Sequence, residues 1–238
     1  MRDQAPGAEY DLALQEPADA RVAAFFDLDH TVLHGSSGML FVRDMWRRKR
    51  MSTRQILDIL RAGLLYKLGR ADFTASSREI MRAIAGFSEE EMWHHSQAWF
   101  QELVAPRLAP GAGWRIAAHR ARGHQVALLS ASTVFATVPV AESFGLAPSA
   151  AIATRLEVVD GQLTGEVVEP MCYGAGKVFW AERWAADRDI DLGRSFFYTD
   201  SISDLPMLRR VAHPVAVNPD PRLRRLARRS NWPIVRFY

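Results

Sequence analysis

The stretch FFDLDHT, residues 25–31, combines the end of an apolar run with two closely spaced carboxylates. It completes an apolar run that begins at residue 22, and such a run predicts a strand buried on both faces. Alternate side chains of an extended backbone share a face, so Asp27 and Asp29 start out pointing the same way. Two unpaired carboxylates at the end of an apolar strand repel each other and resist burial. A divalent cation or a phosphate-handling role would explain them; the other interpretation is a strand followed by an acidic loop.

The composition is that of an ordinary globular protein. The chain has 238 residues, of which 48% are apolar and 24% charged, enough for one large core or a core plus a smaller domain. No apolar run reaches the ~18 residues that a membrane helix needs. Residues 1–20 lack the order of a signal peptide and predict a flexible leader. The single cysteine, Cys172, excludes an internal disulfide and a cysteine-rich metal site. Together these features predict a cytoplasmic location.

Positive charge is concentrated near the end of the chain. Eight arginines between residues 209 and 238 outweigh one acid, Asp220. Leu223, Leu226 and Ala227 recur at helical spacing among the arginines, which favours the solvated face of an amphipathic helix. The alternative is a patch that meets nucleic acid or an anionic membrane. We expect no nucleic-acid partner and no membrane insertion, and leave peripheral membrane contact and oligomeric state open.

The order of the predicted elements indicates an α/β fold. Strands alternate with helices from residue 125 onward, as in a doubly wound parallel sheet of the Rossmann-like kind. A strand-helix-strand unit takes ~30 residues, yet about 100 separate the first two strands, and most of these have helical periodicity. The excess predicts a helical cap, residues 35–105, inserted into a core made of residues 21–34 and 106–238. The insertion leaves the sheet at the carboxyl end, where open α/β sheets bind ligands.

Polar residues follow the later strands as well. The second strand ends in Ser130, and the sequence from 199 to 204 carries Asp200 and Asp204 after another strand. Lys177 opens the helix between them. Because parallel strands end at one edge of the sheet, these groups should gather there with the carboxylates of residues 27 and 29. Acids suit a hard cation such as Mg²⁺, while lysine and serine suit phosphate oxygens.

Four segments in order, DLDHT (27–31), LLSAS (128–132), GAGK (174–177) and YTDSISD (198–204), resemble the motifs of the haloacid dehalogenase (HAD) superfamily of phosphatases. The long helical insert resembles the cap of the phosphoserine-phosphatase-like branch. The resemblance covers about residues 22–218. It implies the catalytic core and cap described above and hydrolysis of a phosphomonoester.

The resemblance also implies catalytic roles. Asp27 would attack phosphorus and form an aspartyl-phosphate. Asp29 would protonate the leaving oxygen and then deprotonate the hydrolytic water. Ser130 and Lys177 would bind the phosphoryl oxygens and offset the charge that develops in the transition state.

The implied cofactor is Mg²⁺. Its ligands would be Asp27, the backbone carbonyl of Asp29, and Asp200. Asp204 would hold metal-bound water or orient Lys177. A carboxylate approaches a phosphate dianion only when cations neutralise it, which is consistent with these assignments.

Several positions bear on the substrate. Ser36 occupies the position at which phosphoserine phosphatases have a glutamate that binds the substrate's ammonium. The absence of this glutamate argues against phosphoserine as the substrate. His30 follows Asp29 where a small residue is common, and it could touch substrate or metal. Ser132 lies on a sheet-end loop near the site. Arg78 and Arg82, one turn apart in the insert, could bind a substrate carboxylate or a second phosphate; the alternative is a solvated face.

Three functions remain open from the sequence. The first is a Mg²⁺-dependent phosphomonoesterase acting on a small organic phosphate. The second is a lysophospholipid or other lipid phosphatase, suggested by the apolar stripe at residues 56–68 and the arginine-rich end. The third is a non-catalytic regulatory protein on the same fold, for which lost motif residues would be the signature.

Overall fold

A computed structural model describes residues 18–67 and 73–238, and it contains a six-stranded parallel sheet. The strand order is β3-β2-β1-β6-β7-β8. The strands are β1 (Ala23–Phe26), β2 (Gln125–Thr133), β3 (Ala151–Thr154), β6 (Phe196–Thr199), β7 (His213–Val217) and β8 (Ile234–Val235). Every neighbouring pair is parallel. A separate antiparallel hairpin joins β4 (Leu156–Val159) to β5 (Gln162–Val167).

Nine α-helices occur in the described ranges. They are α1 (Ser37–Arg47), α2 (Thr53–Lys67), α3 (Phe73–Arg82), α4 (Glu89–Trp99), α5 (Pro110–Ala121), α6 (Val134–Ser143), α7 (Ala175–Ala186), α8 (Leu205–Arg210) and α9 (Pro221–Arg229). The first five lie between β1 and β2 in sequence, and the other four lie between later strands. The prediction of a doubly wound parallel α/β sheet is therefore confirmed. None of the described helices is both long and apolar enough to cross a membrane.

The sheet carries a core on each face. Successive residues of β1 point to opposite faces, and all four are fully buried. Phe26 belongs to one apolar cluster and Phe25 to the other. A central strand buried on both sides explains why the run from residue 22 to 26 is continuously apolar.

Helices α1–α4 share a third apolar cluster with the β4–β5 hairpin. Met45, Ile84 and Leu163 are among its buried members. Backbone hydrogen bonds fasten the hairpin to the α3–α4 connection, where Gly86 N donates to Leu163 O at 2.7 Å. The sequence predicts a strand and a hairpin over residues 152–168, within the range assigned to the core domain, yet the hairpin packs here on the inserted helices. The division into a cap (35–105) and a core (21–34, 106–238) stays a prediction, as does the leader, of which residues 1–17 lie outside the described residues.

Some element ends differ from the sequence prediction. Strand β2 continues past Ser130 to Thr133. The sequence predicts a helix over residues 114–122, but helix α5 begins at Pro110, because proline suits the first helical turn, where its missing N–H is not needed. The sequence predicts a helix over residues 221–229, and helix α9 has these bounds, with its start capped by the Asp220 carboxylate. Its buried residues, Leu223 and Ala227, confirm the interpretation as an amphipathic surface helix.

Candidate active site

The polar residues predicted at the strand ends line one cavity of about 650 Å³. Strands β2, β1 and β6 are adjacent in the sheet, so their carboxyl ends meet at its edge. The cavity is lined there by Asp27, Asp29, Ser130, Lys177, Asp200 and Asp204. Backbone pairing holds the first of these in place, because Asp27 N donates to Tyr198 O at 2.9 Å. The predicted gathering of these side chains is therefore present in the structure.

Lys177 joins two carboxylates at the base of the cavity. Its ammonium donates to Asp27 Oδ1 at 2.7 Å and to Asp204 Oδ2 at 2.7 Å, and its side chain is only 2% exposed. Asp204 Oδ2 also accepts from the Thr199 hydroxyl at 2.6 Å. Of the two roles predicted for Asp204, the contact with the lysine fits orientation of the ammonium.

The start of α7 fixes the backbone that carries Lys177. Gly174 has a positive φ of 55°, a conformation that side chains disfavour. Gly176 packs so closely on the Met171 carbonyl that a Cβ would collide with the backbone. Both glycines of the GAGK segment are thus explained by local geometry.

Negative charge exceeds positive charge in the site. Burial raises the pKa of Asp27 to about 7, and Asp204 and Asp29 add to the shift, although Lys177 opposes it. Burial also raises the pKa of Asp200 to about 8, with Asp27 and Asp204 contributing. Burial lowers the pKa of Lys177, but the two carboxylates outweigh it and hold that pKa above its usual value.

This excess of carboxylate charge fits a divalent cation. One ammonium faces four acids, and burial together with the neighbouring carboxylates raises the pKa of both Asp27 and Asp200. Within residues 18–67 and 73–238, no three His, Cys, Asp or Glu side chains form a metal-binding cluster. Mg²⁺ takes only one or two carboxylates and keeps several waters, so a pair of aspartates satisfies it.

The Asp29 carboxylate lies at the amino-terminal end of α1. Its Oδ1 accepts from Ser37 N at 2.9 Å, and its Oδ2 accepts from the Ser36 hydroxyl at 3.3 Å. Both bonds favour the ionised form, yet burial outweighs them and raises the pKa of Asp29. Ser37 was not among the residues predicted for the site. The signal was available, because Ser36 caps a helix that opens with an apolar run and accepts from Met39 N.

Ser132 connects the second strand to the same helix. Its hydroxyl lies 2.6 Å from the Ser37 hydroxyl, and its backbone N–H donates to the Ser130 hydroxyl at 3.1 Å. It also lines the cavity, and its contact with substrate stays a prediction.

The remaining predicted residues are less central. His30 lines the cavity and has a positive φ of 57°; its carbonyl accepts from the Tyr238 hydroxyl at 3.0 Å. Arg78 forms an ion pair with Glu169, and Arg82 is exposed. Neither arginine is among the described residues that line the cavity. Their role in substrate binding stays a prediction.

Comparison with known proteins agrees with this geometry. The family model for haloacid dehalogenase-like hydrolases matches residues 24–209. Phosphoserine phosphatase SerB1 of Mycobacterium tuberculosis is 35% identical over 94% of this chain and 73% of its own. Histidinol-phosphatase of Neisseria meningitidis is 29% identical over 90% of this chain and 98% of its own.

A solved structure is similar over nearly the whole chain. It is the crystal structure of a protein of unknown function from Bordetella pertussis, 29% identical with a TM-score of 0.84, and the match covers 92% of this chain and 100% of that one. The matching family model spans the three sheet-edge segments and the lysine between them. The chain therefore belongs to the haloacid dehalogenase-like hydrolase family and is a phosphatase of that superfamily.

Proposed function

We propose that this protein is a Mg²⁺-dependent phosphomonoester hydrolase that works through an aspartyl-phosphate on Asp27 and acts on a small organic phosphate. The observation that carries the proposal is the position of Lys177 between Asp27 and Asp204 in the lining of the cavity. The lysine offsets negative charge at the point where a carboxylate would meet a phosphate.

The attack is assigned to the Asp27 carboxylate. Its Oδ1 is bound to the lysine, which leaves Oδ2 as the nucleophilic oxygen. The oxygen forms a bond to phosphorus while the bond from phosphorus to the ester oxygen breaks. The Ser130 hydroxyl and the ammonium of Lys177 bind the phosphoryl oxygens. Asp27, Asp200 and the Asp29 carbonyl would hold Mg²⁺, which when bound neutralises charge between nucleophile and phosphate.

Asp29 is assigned the proton transfers. Burial raises its pKa, so the carboxyl group holds a proton more readily than an exposed aspartate does. That proton goes to the leaving alcohol oxygen in the first step. The resulting carboxylate then removes a proton from the water that attacks the aspartyl-phosphate, which restores Asp27 and releases phosphate. Ser36 and Ser37 orient this carboxylate through their hydrogen bonds.

Removal of the nucleophile tests the mechanism. We expect Asp27→Asn to reduce turnover of p-nitrophenyl phosphate with Mg²⁺ by at least about 10³-fold, because no covalent intermediate forms. Wild-type protein should take up labelled phosphate as an acyl phosphate that hydroxylamine cleaves, and chelation of Mg²⁺ should stop turnover reversibly. The matched control is Asp189→Asn, the same change at an exposed turn. Retained turnover in Asp27→Asn, or no labelling, would contradict the proposal.

Two other functions are compatible with the sequence: a non-catalytic regulatory protein and a lipid phosphatase. A non-catalytic protein predicts loss of chemical positions, whereas all of them are filled and brought together here. A lipid phosphatase differs from the present proposal only in the alcohol part of the substrate. Residues of the inserted helices that line the cavity would contact that part of the substrate.

A further inference from the structure

We propose that the substrate has a neutral, apolar leaving group and that the helical wall of the cavity binds it. The helical wall is the part of the cavity lining contributed by α1–α4, by the connection between α3 and α4, and by the start of α6. The inference rests on the proposed phosphatase reaction and concerns only the alcohol part of the ester.

The two ends of the cavity differ in chemistry. The acids and Lys177 all lie at the sheet edge. The helical wall presents large apolar side chains, among them Phe41, Ile59, Ile80, Met81, Ile84 and Phe135. Every described lining residue between positions 37 and 136 is uncharged. A leaving group that reaches this wall therefore meets no ion-pair partner among the described residues.

The wall contributes three hydroxyl groups, those of Ser37, Ser77 and Ser96, and hydrogen bonds engage those of Ser37 and Ser96. The Ser96 hydroxyl donates to Trp93 O at 2.8 Å. The Ser37 hydroxyl pairs with that of Ser132, and the Ser36 hydroxyl donates to the Asp29 carboxylate. A substrate with an ammonium and a carboxylate would lose water from both charges and find no oppositely charged partner among the described residues of the wall. Phosphoserine is such a substrate.

The wall also leaves open space that packing does not fill. Gly38 and Gly63 both line the cavity. A Cβ at Gly63 would meet no described atom within 4 Å, and one at Gly38 would meet none closer than 3.8 Å. A cavity of about 650 Å³ exceeds the needs of a phosphoryl group and falls within the usual range for small-molecule sites. Apolar walls around open space favour an alkyl or aromatic group.

The test compares phosphate esters of increasing chain length on the wild-type enzyme. We expect kcat/KM to rise about threefold for each methylene from methyl to hexyl phosphate, since each buried methylene adds transfer free energy. Phosphoserine and histidinol phosphate should be turned over at least about 100-fold less efficiently than butyl phosphate, because their charges are desolvated without partners. The inference is overturned if kcat/KM is independent of chain length, or if either charged ester matches butyl phosphate.

A pair of variants locates the binding site. Gly63→Phe places a ring in the open space, whereas Gly63→Ala changes helix propensity without filling it. We expect the ratio of kcat/KM for hexyl phosphate to that for methyl phosphate to be at least about tenfold lower in Gly63→Phe than in Gly63→Ala. Equal ratios would place the alkyl chain elsewhere and overturn the assignment to the helical wall.

Binding of alkylphosphonates, measured by calorimetry with Mg²⁺ present, separates the two proposals. These compounds retain the charged head and cannot be hydrolysed as esters. Affinity that rises with chain length, together with no turnover of any ester, would contradict the phosphatase reaction and leave the apolar site in place. Turnover of all esters at equal efficiency, with phosphonate affinity independent of chain length, would contradict the apolar site and leave the phosphatase reaction in place.

Discussion

The ammonium of Lys177 lies 2.7 Å from Oδ1 of Asp27, although 150 positions separate the two residues. The side chain of Lys177 is almost fully buried, and burial alone would lower its pKa. The contact is therefore maintained by the carboxylates around it. It places a permanent positive charge beside the group that we assign as nucleophile.

Replacement of Lys177 by an uncharged side chain of similar length tests whether its positive charge acts on the reaction. We expect Lys177→Gln to lower kcat for p-nitrophenyl phosphate by about 10²–10³-fold, the usual loss for one transition-state contact. Lys177 also lowers the pKa of Asp27, so its loss should leave that carboxyl more protonated and weaken Mg²⁺ binding at neutral pH. Steady-state kinetics and Mg²⁺ titration measure both effects.

The control for this prediction is Lys177→Arg, which keeps the charge but alters its reach. It should retain more activity than the glutamine variant. Circular dichroism establishes that each protein is folded, because loss of the lysine leaves two buried carboxylates without their partner. A glutamine variant with wild-type kcat would show that the ammonium does not act on the reaction.

The hydroxyl pair of Ser37 and Ser132 should contribute to stability as a unit. The 2.6 Å contact joins the first turn of α1 to the end of β2 and is partly buried. We expect the two single alanine variants and the double variant to give a coupling free energy of about 1 kcal/mol in urea unfolding. Ser143→Ala combined with Ser132→Ala should show additivity, since Ser143 donates to the Val140 carbonyl of its own helix, away from the serine pair. Zero coupling between the serines would mean that the contact does not persist in solution.

The buried histidine of α5 should make the fold sensitive to acid. His119 Nδ1 is 2.9 Å from His124 Nδ1, and its Nε2 is 2.8 Å from the Tyr198 hydroxyl. Burial holds the pKa of His119 well below its usual value, and nearby positive groups add to the effect. The unfolded chain binds a proton at about pH 6.5 that the folded chain does not. Stability is thus full above that pH and falls as the pH decreases.

The expected loss from His119 is about 1.4 kcal/mol of unfolding free energy for each pH unit below about 6.5, until the folded pKa is reached. Urea unfolding at about pH 7.5 and pH 5.5 measures it, and His119→Gln is the comparison. The variant should be less stable at the higher pH, because the contact between His119 and the Tyr198 hydroxyl is lost, but it should lose less on acidification. Equal pH dependence in both proteins would contradict the assignment of a neutral histidine.

The sheet and the polar ends of its strands were predictable because the signals are local. The apolar run before Asp27, and the polar residues at 130 and 200, depend on strand burial and on the rule that parallel strands end together. Their meeting with Lys177 follows from the same topology. The close approach of Gly176 to Met171 was not predictable, because it depends on a loop path that leaves no periodic signal.

The helical wall was harder to predict for a related reason. An apolar stripe such as the one that includes Ile59 is identical in sequence whether it packs in a core or lines a cavity. Which face of each helix remains open is set by contacts between elements far apart in the chain, such as those of α3 with the β4–β5 hairpin. The pairing of Arg78 with Glu169 is non-local in the same way.

The hydrogen bond from Ser37 N to Asp29 has a mechanical consequence. The donor is the first residue of α1, so the helical insert is attached directly to the group that we assign as proton donor. Any displacement of α1 away from the sheet has to break this bond and withdraw both serines from the carboxylate. Any movement of the insert therefore changes the hydrogen bonding of the Asp29 carboxylate, because the first turn of α1 supplies its donors.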